Sequence, residues 1–448
     1  MKKISVGSVC SGIEAASVAL TESNFKMAWF SEIAAFPSQV LKKKYPDIKN
    51  LGDMANVASA ILSKDIIAPD LICGGTPCQA FSLAGWKKGL EDKRGNLTLS
   101  FINIIEQNDK IRLKSGLTET IMLWENVEGV LTDTTNAFGC FLSSLLGADD
   151  VLTVSKWPSA GIIHGSKRNV AWRVLDAKYF GLPQQRKRVY VLAGGVDFYP
   201  ENVLFDQFPS ENISYNQTNL QFEKNGHQIE VFRSYSDCLY SAFGTKWNGN
   251  AAANNGSLFV AQNNRLRRMT PLECERLMGF PDHYTSIEKA SPTNRYQALG
   301  NSWAVPVIKW IGERLHQTIF AKPVSIAKEG SLIETIIGKT RDSLTYYKIP
   351  TSRDENQLAL FPSLLINGSK CPQHPILGDI FEIIDTEPEE KFYISPVGCK
   401  GILRRKDERN SKINKRLDLH LTQVASTMDD EAIEKRSRVQ KRGRFSSN

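Results

Sequence analysis

Along the first 195 residues, short apolar runs of β-branched and aromatic character alternate with helix-like or loop stretches. The runs fall at residues 4–9, 26–30, 70–73, 120–123, 171–175 and 189–193. That rhythm predicts an α/β fold built on a doubly wound, mostly parallel sheet. From residue 196 to 264 the texture changes to Asn, Ser, Gly and aromatics without a sustained helical period, which predicts a small separate unit, irregular or β. Regular structure returns at Thr270-Pro271-Leu272-Glu273, a capping box with proline at the first helical position, and predicts a helix to about Met278. Leu299-Gly300-Asn301-Ser302 then introduces an apolar helix over about 305–315. The expected organisation is a main unit over 1–195, a second unit with its supporting helix over 196–295, a helix over 296–320 that completes the main unit, and a linker with a basic extension over 321–448.

Composition narrows the class. At 448 residues, with 41% hydrophobic and 23% charged residues, the chain has the average make-up of a soluble multidomain protein. No apolar run approaches the roughly 18 residues that span a bilayer, so no membrane association is expected. Met1-Lys2-Lys3 leads into a strand-like segment instead of a signal-peptide core, which makes a cytoplasmic location the expectation. The eight cysteines show no regular spacing, as suits a reducing compartment. Cys371 and His374 are spaced like metal ligands but lack a second pair, so no metal is expected. The net charge of +8 permits a polyanionic partner without requiring one.

The candidate chemistry sits at strand ends. Thr76-Pro77-Cys78-Gln79 follows the run 69–75 and places a thiol on a sharp turn at the carboxyl end of a strand, where open α/β sheets bind their ligands. Glu125 follows the strand at 120–123, and Arg186 and Arg188 lead into the strand at 189–193. A nucleophile, an acid and two guanidiniums then share one sheet. Near the amino terminus, residues 8–15 read as strand, glycine turn and helix start. Glu32 stands past the second strand, placed to accept hydrogen bonds from ribose hydroxyls, and Asp53 is placed to accept one from an adenine amine. Such a set fits an adenosine-containing cofactor.

Together these segments resemble the DNA (cytosine-5) methyltransferases of bacteria and phages. The collinear stretches are 9–15, 74–82, 92–97, 125–127, 184–188, 267–281 and 297–305, spanning about the first 320 residues. The resemblance implies S-adenosylmethionine as cofactor and double-stranded DNA as partner. Cys78 would add to C6 of a cytosine flipped from the duplex, and Glu125 would protonate or hydrogen-bond N3. Arg188 would hold the base and the glutamate, with Arg186 nearby. Cofactor residues implied in the same way are Gly12, Glu32, Asp53, Pro77, Leu97 and Asn301. Gln79 and Ser82 would steady the loop and the DNA backbone, and Lys87, Lys88, Lys93 and Arg94 would meet phosphates. Residues 196–264 would read the target sequence, while residues 267–281 and 305–315 read as scaffold. The chain departs from the family at Cys10 and Glu14, which replace the usual aromatic and second glycine of the first motif.

The basic extension lies outside the main resemblance. Ser395-Pro396 predicts a helix start, followed by Lys400, Arg404, Arg405, Lys406 and Arg409 interleaved with Ile402 and Leu403. A phosphate-gripping helix through Arg404 and Arg405 is the preferred reading, with an ordinary solvated amphipathic helix as the alternative. Rival functions are methylation of cytosine in RNA, a catalytically silent DNA-binding relative, and a nicotinamide oxidoreductase, which would leave the Pro-Cys-Gln turn and the arginine pair unexplained. A monomer is expected. A companion restriction endonuclease is compatible with this reading but is not implied by it.

Overall fold

The computed structural model of the chain describes residues 3–76, 97–207, 217–243, 251–321, 334–337, 345–348 and 366–436. Its centre is a ten-stranded sheet. In chain order the strands are β1 (Ile4–Val9), β2 (Phe25–Ser31), β3 (Lys49–Asn50), β4 (Leu71–Gly74), β5 (Ile121–Val127), β6 (Ala160–His164) and β7 (Asn169–Asp176). The short β8 (Gln184–Gln185) leads into β9 (Lys187–Gly194). Two late strands, β16 (Glu334–Ile337) and β17 (Thr345–Lys348), extend the sheet in the order β16-β17-β6-β7-β9-β5-β4-β1-β2-β3.

The strands β3, β2, β1, β4 and β5 are parallel, and from β5 outward through β9, β7, β6, β17 and β16 each pairing is antiparallel. The chain steps outward from β1 to β2 and β3 on one side and to β4 and β5 on the other. That reversal is the topological switch point at which such sheets bind ligands beyond the carboxyl ends of the strands. Helices cover both faces, and the two buried clusters they close are rich in Val, Ile, Leu and aromatics. β1 and β4 approach closely at their ends: a Cβ on Gly74 would stand 2.8 Å from the Val9 carbonyl oxygen.

The second unit is ordered β structure. Strands β11 (Leu220–Lys224), β12 (His227–Val231), β14 (Phe259–Gln262) and β15 (Arg265–Arg268) form an antiparallel sheet in that order. Two small pairings tie the parts together: β13 (Ser236–Asp237) runs beside β8 of the main unit, and β10 (Asp206–Gln207) pairs with β18 (Ile366–Asn367) of the C-terminal segment. The predicted helix follows as Pro271–Met278, with Thr270 and Glu273 closing the capping box, and the apolar helix runs Val305–Ala321.

Residues 366–436 pack onto both units. Buried Arg173 donates to the carbonyls of Ser369 and Cys371, Lys224 to those of Phe381 and Ile384, and Gln262 to that of Thr386. The helix predicted after Ser395 forms as Pro396–Glu408, with Ser395 capping Gly398 N and proline in the first turn. The next helix, Lys415–Ala425, is clamped to the β11–β15 sheet by Arg416 and His420 on Glu230. Burial alone would raise the Glu230 carboxyl, but hydrogen bonds from Arg416, His420 and Gln221 outweigh it and hold it down at about 2. Among the described residues, no helix is long and apolar enough to cross a membrane.

Candidate active site

Four parallel strands deliver their carboxyl ends to one cleft of about 720 Å3. The loop after β1 contributes Cys10 and Gly12, the end of β2 Glu32, the segment after β4 Gly75 and Thr76, and β5 Glu125 and Asn126. Arg186 and Arg188 enter from the antiparallel side, and Asn301 closes the rim from the end of the helix Pro292–Asn301.

Glu125 lies at the end of β5, only 8% exposed, with its Oε1 3.1 Å from Nε of Arg188. The β5–β9 register explains the pairing, since Val127 stands opposite Arg188 and Glu125 opposite Tyr190. Burial pushes the Glu125 carboxyl above its ordinary value, against the opposing pull of Arg188, Arg186 and a hydrogen bond from Trp303. A carboxyl so placed is suited to deliver or share a proton.

Arg186 plays a different part. It is 3% exposed and donates to the carbonyls of Leu239, Gly300 and Ser302 and to the Cys238 sulfur, which Arg188 also approaches at 3.6 Å. Its guanidinium therefore joins the Cys238–Leu239 segment to the helix carrying Asn301. Burial lowers its pKa first, and the neighbouring Arg188 adds to that.

The cofactor candidates divide. Gly12 holds φ +55 and an added Cβ there would meet nothing within 4 Å, so the turn leaves open space for a ligand. Its N–H donates to Glu32 Oε2 at 2.8 Å while Ala34 N–H donates to Oε1 at 2.6 Å, and each carboxylate oxygen keeps a second lone pair. Asp53 is exposed and caps the turn at Ala55, outside the residues that line the cleft. Leu97 opens the helix Leu97–Lys114, 38% exposed and also outside the lining. Pro77, Cys78, Gln79, Ser82, Lys87, Lys88, Lys93 and Arg94 lie outside the described residues. The residue before that stretch, Thr76, is held on the cleft floor: its hydroxyl accepts from Trp124 Nε1 and its carbonyl from Asn126 Nδ2.

Sequence reading missed Thr76, Asn126, Trp303 and Cys238 as parts of the site. The first three lie within motifs already singled out, where they were given no role, and their contribution is positional. Cys238 lies in the Asn-, Ser- and Gly-rich stretch, where no pattern marks it.

On the extension, Arg404 is exposed and 3.5 Å from Glu408, whereas Arg405 is half-buried. Burial lowers the Arg405 pKa, and the charges of Arg404, Arg409 and Arg268 lower it further against the opposing pull of Glu408.

The sequence model of the family described as C-5 cytosine-specific DNA methylase matches residues 4–256 and 246–317. A protein of Escherichia phage P1 named DNA N-6-adenine-methyltransferase is 34% identical over 478 aligned residues, covering 74% of this chain and 63% of that protein. The chain thus spans less than two thirds of that relative. Type II methyltransferase M.SsoII of Shigella sonnei is 28% identical over 64% of this chain and 73% of its own length. Type II methyltransferase M.HhaI of Haemophilus parahaemolyticus is 24% identical over 70% and 94%. Among solved structures, an Entamoeba histolytica methyltransferase aligns over 71% of this chain and 99% of its own, with a TM-score of 0.45 at 16% identity.

Proposed function

The chain belongs to the C-5 cytosine-specific DNA methylase family, and from that premise we propose that it methylates C5 of cytosine within a specific double-stranded DNA sequence. The family uses S-adenosylmethionine, and the open turn at Gly12, with Glu32 beside it at the sheet's switch point, fits an adenosine-bearing cofactor. Bound there, the cofactor supplies an electrophilic methyl group.

The observation that carries the proposal is the buried Glu125–Arg188 pair facing the cleft beside Thr76. C5 of cytosine is a poor nucleophile until a thiolate adds at C6. Cys78, two residues beyond Thr76, is the group assigned to that addition. A free thiol of pKa about 8.5 is only a few per cent ionised at neutral pH, so addition must be coupled to protonation of the ring. Glu125 delivers that proton to N3, and Arg188 fixes its carboxyl and the base. Once the methyl group is on C5 and its bond to the cofactor's sulfur is broken, a base removes the C5 proton, N3 returns its proton to the Glu125 carboxylate, and the C6–S bond breaks to release the Cys78 thiolate. Reaching the cytosine requires flipping it from the duplex, at a few kcal/mol. The loop around Gln79, Ser82, Lys87, Lys88 and Arg94 and the β11–β15 unit are assigned to that work.

The name of the phage P1 relative raises N6-adenine methylation as a second reading. One experiment separates the two. Wild type and Cys78→Ala are expressed in a bacterium lacking its own cytosine and N6-adenine methylation, and genomic nucleosides are analysed by mass and conversion sequencing. The expected result is 5-methylcytosine in one short motif from the wild type and none from Cys78→Ala. N6-methyladenine alone would replace the cytosine reading, and transfer confined to RNA would favour an RNA substrate.

The exposed Arg404 and the further positive charges of Arg409 and Arg268 near Arg405 support the extension as a phosphate contact. Replacing Arg404 and Arg405 by Gln is expected to reduce the slope of log affinity for DNA against log salt by about 2, roughly one per lost contact. Turnover at saturating DNA should hold. An unaltered slope would leave the extension with a packing role only.

A further inference from the structure

Glu14 is an acid in a place that physical chemistry does not favour for one. It sits at φ 63 in the left-handed region, where glycine is at ease and a glutamate is strained. It is also 1% exposed. Its Oε2 accepts from Ser17 N and Ser17 Oγ and so caps the short helix Ala15–Leu20. The hydroxyls of Ser8 and Ser11 face the carboxyl, yet Oε1 is buried with no hydrogen bond of good geometry among the described residues. Serine or asparagine would cap the helix without burying an acid. The cap alone therefore does not account for this residue.

Its surroundings point to a ligand. Glu14 lines a cavity of about 60 Å3 with Ser8, Ser11, Gly75, Glu125 and Trp303. Cys10, Gly12, Gly75, Glu125 and Asn301 line both this cavity and the larger cleft, so the two are continuous. Two carboxyls face the smaller cavity, and no lysine, arginine or histidine lines it among the described residues. Its charge suits a cation. No group of three or more metal-ligating side chains occurs among the described residues, which leaves an organic cation as the fitting occupant. Burial pushes the Glu14 carboxyl up to about 7, so it is partly ionised near neutrality and an adjacent positive charge would complete its ionisation.

We infer that the Glu14 carboxylate receives the α-ammonium group on the amino-acid chain of S-adenosylmethionine. This inference rests on the cofactor reading above and assigns one end of that molecule to one residue. Glu125 is held by Arg188, which leaves Glu14 as the acid free to meet the ammonium.

The test is equilibrium binding by calorimetry, with the full chain and two ligands. S-adenosylhomocysteine carries the α-ammonium, and methylthioadenosine lacks the entire amino-acid end. Glu14→Gln keeps the size and the capping oxygen. Glu14→Gly suits φ 63 and covers the case in which glutamine fails to fold. Both variants are expected to bind S-adenosylhomocysteine about tenfold or more weakly, the scale of a lost charge-assisted hydrogen bond. Methylthioadenosine should bind them as it binds the wild type. Unchanged affinity for S-adenosylhomocysteine overturns the inference, as does an equal loss for both ligands, which would mark Glu14 as purely structural. A wild type that binds neither ligand would instead remove the cofactor reading on which the inference stands.

Discussion

Glu125→Gln is expected to cut methyl transfer by about 10²- to 10⁴-fold, the range a positioned general acid supplies, while affinity for unmethylated DNA holds. Glutamine keeps the shape and an acceptor for Arg188 Nε, so the packing beside β9 and Trp303 should persist. It cannot release a proton to N3. The loss should therefore fall on kcat under saturating DNA and cofactor. A stopped assay with labelled methyl donor, together with DNA binding by fluorescence anisotropy, separates the two quantities. Parallel loss of DNA affinity and kcat would instead show that Glu125 acts by holding the cleft together. Burial raises the Glu125 pKa. Its proton is therefore present below the raised value and is lost as pH climbs through it, so wild-type turnover should decline on the alkaline side. The variant should lose that dependence.

The parts of the fold that could be read from the chain are those made by contiguous apolar segments. Strands β1, β4, β5, β7 and β9, and the second half of β2, are largely buried on both faces, and each strand appears in the sequence as an apolar run near its observed bounds. The acids Glu32 and Glu125 were legible because a charge directly after such a run has few structural uses. Strand β11 was not legible: Leu220 and Phe222 are only half-buried between exposed Gln221 and Glu223, and an alternation of two apolar residues is too short to stand out in a polar stretch. Residues 366–436 read as a linker with a basic tail because long side chains and backbone carbonyls do much of the docking. Arg173, Lys224, Gln262 and Arg267 reach to carbonyls between Ser369 and Thr386. Contacts of that kind leave no hydrophobic period. Arg186 was read as a member of the reactive set, and its neighbours are three carbonyls that only the folded chain brings together.

Arg267→Met is expected to destabilise the β11–β15 unit by about 3–5 kcal/mol, the cost of leaving one charge of a buried pair uncompensated. Arg267 and Glu273 are both fully buried, and the guanidinium meets the carboxylate through two bonds of 3.0 and 2.8 Å. The same carboxylate accepts the N–H groups of Thr270 and Asp385, and the same guanidinium donates to Gln262 Oε1 and the Asp385 carbonyl. One ion pair thus binds the end of β15, the start of the helix Pro271–Met278 and the segment that leads into the extension. Methionine fills the volume but leaves the Glu273 charge buried without its partner. Removing that charge too, in Arg267→Met with Glu273→Gln, should recover part of the loss, although the amide still cannot satisfy every donor around it. Urea unfolding of the three proteins measures the difference. Limited proteolysis should show Arg267→Met cut earliest near Asp385, because that residue loses a bond to the guanidinium and rests on a carboxylate without its partner. If the double variant proves no more stable than Arg267→Met, the uncompensated charge is not the source of the loss, and packing around the guanidinium is.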